Sequence, residues 1–250
     1  MPVQTGNMPV KGTMNNMSYY KSKDGTMVKM KTVIPKEKFK TKSFELTHRN
    51  NLEFGLAGKA AKTLRHAIRT IISICKDPRV SSRLTTLMLK IAKTDTTSPH
   101  GERNVTKGQL ALLNGFDFNI DAPLSGNFSA PYTMNIERAT GKILLDIPPF
   151  NPANLLTVPE GSTHFKLVSA GCEIDFVNDV YNTQTFETAE IPVTDPLTAD
   201  FNIGHQVAAN STQPLFLILG IQFLQEVNGI KYPIRSSNAN SMAILKVEPA

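Results

Sequence analysis

At 250 residues with 40% hydrophobic content, the chain can bury one large domain, or a medium domain with appendages, which excludes global disorder. Two cysteines are too few for a disulfide framework or a metal cage, and no window approaches the roughly 18 apolar residues of a membrane span. The net charge of +6 conceals a division: residues 1–110 carry 21 Lys and Arg against 7 Asp and Glu, a net of +14, whereas residues 111–250 carry 6 against 14, a net of −8. Such polarity can draw a polyanion to the basic half, or set one copy's basic half against another's acidic half.

Met1 to Met30 is polar and dotted with lysine, without the apolar run of a secretory signal, so a cytoplasmic protein is expected by default, with an assembled or released form left open. Met1 to Val10 reads as a loose arm. Met17–Ser22 and Thr26–Lys31 flank Lys23-Asp24-Gly25, and Asp-Gly between two strand-like runs predicts a hairpin. With Asp24-Gly25 as the turn, Tyr19 faces Met30 and Lys21 faces Val28. A two-stranded ribbon is marginal in water, so it must lean on its own body or on a neighbouring copy. Pro35 to Lys42 is a lysine-rich linker, and residues 1–46 together form a basic arm.

Residues 47–95 predict a basic helical hairpin. Ala57, Ala60, Ala61, Leu64, Ile68, Ile71, Ile72 and Cys75 make one apolar stripe, with Lys59, Lys62, Arg65, His66 and Arg69 on the other face. Asp77-Pro78 reads as an N-cap followed by proline at the first helical position. A second stripe follows at Val80, Leu84, Leu87, Met88 and Ile91. Residues 96–115 are a connector, with a short helix over Thr106–Leu113.

From Phe116 the period changes to two. Phe116, Phe118 and Ile120 alternate, and Met134 and Ile136 pair through Thr140-Gly141 with Ile143, Leu145 and Ile147. Phe165 and Leu167 continue a face that Ile174 and Phe176 take up in the opposite phase, which predicts a bulge at Gly171. Thr185 to Val193 reads as an edge strand. Leu215 to Val227, the most apolar run, is the predicted central strand, and Asn228-Gly229 turns it so that Glu226 faces Lys231. The expected fold class is α+β, mainly β: a ribbon and helical hairpin, then an antiparallel immunoglobulin-like or jelly-roll sandwich over residues 116–250.

No reactive constellation stands out. Gly55-Leu-Ala-Gly-Lys-Ala60 lacks phosphate-loop spacing and its hydroxyl, so its small residues are read as permitting close packing. His164, Cys172, Glu173 and Asp175 lack the spacing of a thiol nucleophile and its base, and Asp175 and Asp179 read as solvated carboxylates. Histidines 48, 66, 100, 164 and 205 make no metal-ligand pair, and the Asn-x-Ser/Thr triplets at Asn16, Asn104, Asn127 and Asn210 read as chance. No enzyme, cofactor or metal site is therefore expected.

Asn51–Arg65, Arg83-Leu-Thr, Met88–Lys93, Gly108, Leu113–Asn119, Thr163–Gly171 and Gln225–Gly229 carry a resemblance to a group of uncharacterised Bacteroidetes proteins of about this length. It implies a bacterial setting and a similar lysine-rich ribbon, and it brings no established activity or catalytic residues. The leading expectation is a non-enzymatic structural protein that self-assembles head-to-tail into a filament, tube or shell. Tyr19, Tyr20, Val28 and Met30 would anchor the arm, and Lys59, Lys62, Arg65 and Arg69 would meet acidic residues across the joint. The alternative is a nucleic-acid-associated or coat-like protein whose basic arm and helices, with Tyr19, Tyr20 and Phe39, contact phosphates. An adhesive, carbohydrate-binding sandwich is disfavoured by an aromatic content of 7%.

Overall fold

The computed structural model describes residues 10–31, 35, 37 and 41–250, in two compact units divided after His48. The loose arm expected over Met1–Val10, apart from Val10, lies outside the described residues, as does half of the Pro35–Lys42 linker, Phe39 included.

The first unit contains a three-stranded meander, β1 (Gly12–Met14), β2 (Met17–Ser22) and β3 (Gly25–Met30), where the sequence indicated two strands. Asn15 takes positive φ in the two-residue Asn15-Asn16 loop, a conformation that asparagine tolerates better than most residues. The second turn also differs. Ser22 pairs with Gly25, so Lys23-Asp24 is the loop, and Tyr19 faces Val28 where Met30 was expected. An Asp-Gly loop of type I′ needs positive φ at both residues; here Gly25 alone has it, and the register moves by two.

α1 (Glu45–Ala67) starts before the division and runs on into the second unit, where a break at Ile68 separates it from α2 (Arg69–Ile72), and α3 (Val80–Ala92) follows. Both predicted stripes are buried, through Ala57, Ala60, Ala61, Leu64, Ile68 and Ile71 in the first and Leu84, Met88 and Ile91 in the second. Asp77 lies three residues before α3, accepting the Arg79 N–H at 2.7 Å and the Arg83 guanidinium at 2.7 Å. Val105–Lys107 and Leu110–Leu113 are 3-10 turns in place of the expected short helix. The short α4 (Leu124–Asn127) and α5 (Pro152–Leu155) lie in the loops that follow.

Nine antiparallel strands complete the α+β fold. β4 (Thr133–Glu137), β5 (Lys142–Ile147) and β9 (Phe201–Gln206) make a small sheet. β6 (His164–Asp175), β7 (Val180–Glu187), β8 (Ile191–Pro192), β10 (Leu215–Val227), β11 (Ile230–Pro233) and β12 (Ser241–Glu248) make a six-stranded one, with β10 at its centre. The large sheet is covered on both faces. Val168, Ala170, Cys172, Phe216, Ile218 and Ile244 join the helices in one core, while Leu167, Leu217, Leu219, Ile221 and Phe223 meet the small sheet in another. Burying one such side chain is worth roughly 1.5–3 kcal/mol, more than the ~1 kcal/mol span of strand propensities. Burial on two faces therefore makes β10 a continuous apolar run and fixes its register.

Two-sided burial also explains the phase change in β6. Its pairing with β10 and β7 runs without a register shift, so no bulge occurs at Gly171. Phe165 and Leu167 serve the core beneath the small sheet, and Ile174 serves the helix side. Gly171 is required for another reason: a Cβ there would lie 2.4 Å from Cβ of His205 on β9.

Asn228 and Gly229 both take positive φ, and Glu226 pairs with Lys231 in register as expected. Their charges go elsewhere, Lys231 to Glu190 at 3.2 Å and Glu226 to within 3.7 Å of His164 Nδ1. Phe116–Ile120 forms no full strand; residues 114–118 instead close the outer edge of β12, through Gly115 N–H to Ile244 O, Phe118 N–H to Met242 O and Ile244 N–H to Phe116 O.

Candidate assembly surfaces

Directly opposed residues of an antiparallel pair share a face. One face of the ribbon therefore holds Met14, Met17, Tyr19, Val28 and Met30, and the other holds Tyr20 and Met27, with Lys29 Nζ 5.5 Å from the Tyr20 ring centroid. Three of the four anchors expected from sequence lie together and Tyr20 lies opposite them. Met30 is 72% exposed, Met14 59% and Met17 45%, and no described residue of the ribbon is fully buried. Five lysines against Asp24 make residues 10–31 strongly basic.

The four helical cations fall into different settings. Lys59 Nζ donates to Val177 O at 3.3 Å, and Thr63 on the same helix donates to Asp179, tying α1 to the β6–β7 turn. Lys62 and Arg69 are exposed, and Arg65 is half-buried. Arg65, His66 and Arg69 line one open pocket of about 360 Å³.

β7 lies at the end of the large sheet's strand order, and among the described residues its outer edge pairs with no strand. It starts five residues before the edge strand read from the sequence, which had combined β7 with β8. Seven of its eight residues are exposed, so no in–out alternation marks it in the sequence. It contains no lysine, proline or bulge, the devices that ordinarily protect an edge. Val180, Tyr181 and Phe186 are exposed on it. Beside its start, Leu52, Leu56, Val105, Phe176 and Val177 line an apolar groove of about 540 Å³.

Gly55 and Gly58 correct the close-packing reading, since a Cβ at either would meet nothing within 4 Å. Both sit inside α1, whose helical backbone also rules out a phosphate loop. His164 and Cys172 lie on one strand, eight residues and so roughly 26 Å apart. Burial pushes the Cys172 thiol up to about 12, away from thiolate chemistry. Asp175 caps its own turn by accepting the N–H groups of Val177 and Asn178, which holds its carboxyl below the usual range.

The buried His205 Nε2 lies 2.9 Å from Ser169 Oγ, and that hydroxyl donates to Ile218 O. With the hydroxyl proton so committed, the imidazole is the donor of the pair and does not activate the serine. Burial lowers the His205 pKa to about 4. Since the unfolded chain protonates near 6.5 and the folded one resists until about 4, stability falls as pH drops through this window, by about 3 kcal/mol in all. Urea unfolding from pH 7 to pH 4 checks this: the His205→Gln variant should show a pH slope about one proton shallower than the parent's.

No protein-family model, curated protein or solved structure matches the chain. Among the described residues, no group of three or more His, Cys, Asp and Glu side chains is placed to hold a metal, and no helix is long and apolar enough to cross a membrane.

Proposed function

We propose that this is a non-enzymatic structural protein that self-assembles into a filament, tube or shell, its amino-terminal ribbon adding to the β7 edge of the next copy. The observation that carries the reading is the unprotected eight-residue edge of β7. Strand addition would satisfy its free backbone groups, and the Met14–Met17–Tyr19–Val28–Met30 face of the ribbon would cover apolar surface. The net of −8 over residues 111–250 favours approach of the ribbon's lysines, with Lys59 and Lys62 adding positive charge at the joint. Donor and acceptor are different surfaces, so the contact is heterologous and propagates unless rotation closes it.

Sedimentation of the full chain beside a variant lacking residues 1–42 tests this. The truncated chain should remain folded and monomeric while the full chain forms large species. Placing lysine on the edge, as Tyr181→Lys with Phe186→Lys, should likewise leave folded monomers. Assembly of either variant to the parent's extent would refute the reading.

A further inference from the structure

The pocket lined by Arg65, His66 and Arg69 has a composition that assembly leaves unused. Three other guanidinium groups of the second unit are committed within the molecule. Arg83 is held by Asp77, Arg103 by Glu53, and Arg138 by the carbonyls of Ser211, Gln213, Glu248 and Pro249. Arg65 differs: its Nε is buried and has no hydrogen-bond partner among the described residues. Arg69 follows four residues on, just past the break at Ile68, and with His66 between them three nitrogen-bearing side chains line one opening. Ile72, Val80 and Phe118 supply its apolar part.

From this geometry we infer that the pocket binds a small phosphorylated compound, the phosphoryl group on Arg65 and Arg69 and the organic body against Ile72 and Val80. Guanidinium presents paired N–H donors that match phosphoryl oxygens, and a tetrahedral dianion answers two such groups and an imidazole N–H together. A ligand oxygen at Arg65 would satisfy the buried Nε, whose desolvation is otherwise uncompensated. The two carboxylates whose charge reaches the pocket's Cys75, Asp117 and Asp77, have partners of their own. Asp77 is bonded to Arg83, Arg79 N–H and Ile120 N–H, and Asp117 accepts the Leu124 N–H at 2.8 Å. The volume of about 360 Å³ suits a small ligand and not a polymer groove. This site does not depend on the assembly reading.

Calorimetric titration of the full chain with phenyl phosphate, at ionic strength held constant with chloride, tests the inference. Saturable one-to-one binding is expected, tighter than that of inorganic phosphate, and weakened about tenfold or more in Arg69→Gln. Because Arg69 is exposed, its replacement probes the site without disturbing the core, whereas half-buried Arg65→Gln is checked for folding first. Lys62→Gln, outside the pocket, should bind like the parent. Absence of binding, equal binding by Arg69→Gln, or phenyl phosphate binding no more tightly than inorganic phosphate would overturn the assignment. So would a single-stranded oligonucleotide that displaces phenyl phosphate with the steep salt dependence of a polyanion.

Discussion

Glu53→Ala should cost about 3–5 kcal/mol of stability, the range for removing one partner of a buried ion pair. Glu53 is fully buried on α1 and accepts from Gly101 N–H at 2.8 Å and from Arg103 Nε and Nη2 at 2.7 and 2.8 Å. The bidentate bond from Arg103 is the main cause holding its carboxyl below the ordinary range, against the opposing effect of burial. Its removal leaves a guanidinium and a backbone N–H without their acceptor, and it detaches the 100–107 loop that forms one wall of the apolar groove. A carboxyl held low contributes stability above its unfolded pKa and loses it as pH falls toward the folded value, so part of the acid sensitivity should disappear with it. Denaturant melts of Glu53→Ala, Arg103→Met and the double variant check the argument. The double variant should be more stable than the two separate losses added together. Additive losses would mean that the pair is not coupled.

The second large effect is expected at Gly171. A methyl group there would collide with Cβ of His205 at 2.4 Å and with its Cγ at 2.7 Å. His205 cannot withdraw easily, because β9 is held by its pairing with β5, where His205 faces Ile143, and the ring is bonded to Ser169. Gly171→Ala should therefore lose about 3 kcal/mol, at the upper end of overpacking costs. In a His205→Gly background the same change should cost under about 1 kcal/mol, since the opposing Cβ is gone. Thermal melts of the four chains measure the difference. An equal cost in both backgrounds would place the strain elsewhere.

These two sites show what the sequence could and could not convey. The helical stripes, the β4–β5 hairpin, the central strand and the Asn228-Gly229 turn were legible because each rests on local periodicity or on turn chemistry. Gly171 stood out as unusual, yet its partner His205 lies 34 residues away, so a local bulge was the available explanation. The double coverage of the large sheet was hidden because a strand buried on both faces loses its alternation. β7 was misplaced for the opposite reason, being exposed on both faces. On the ribbon, the two strands that carry the candidate anchors were legible, and a register error of two residues exchanged their partners. Glu53, the most deeply committed carboxylate of the helices, sits among exposed Asn51, Leu52 and Phe54, so nothing nearby in sequence announces a partner at Arg103.

Hydrogen exchange along Val180–Glu187 tests the central claim most directly, because strand addition must protect that edge. In the full chain under assembling conditions, β7 amides should exchange about tenfold or more slowly than in the chain lacking residues 1–42, with β6 and β10 unchanged. Equal exchange of β7 in assembled full-length and truncated protein would contradict the account.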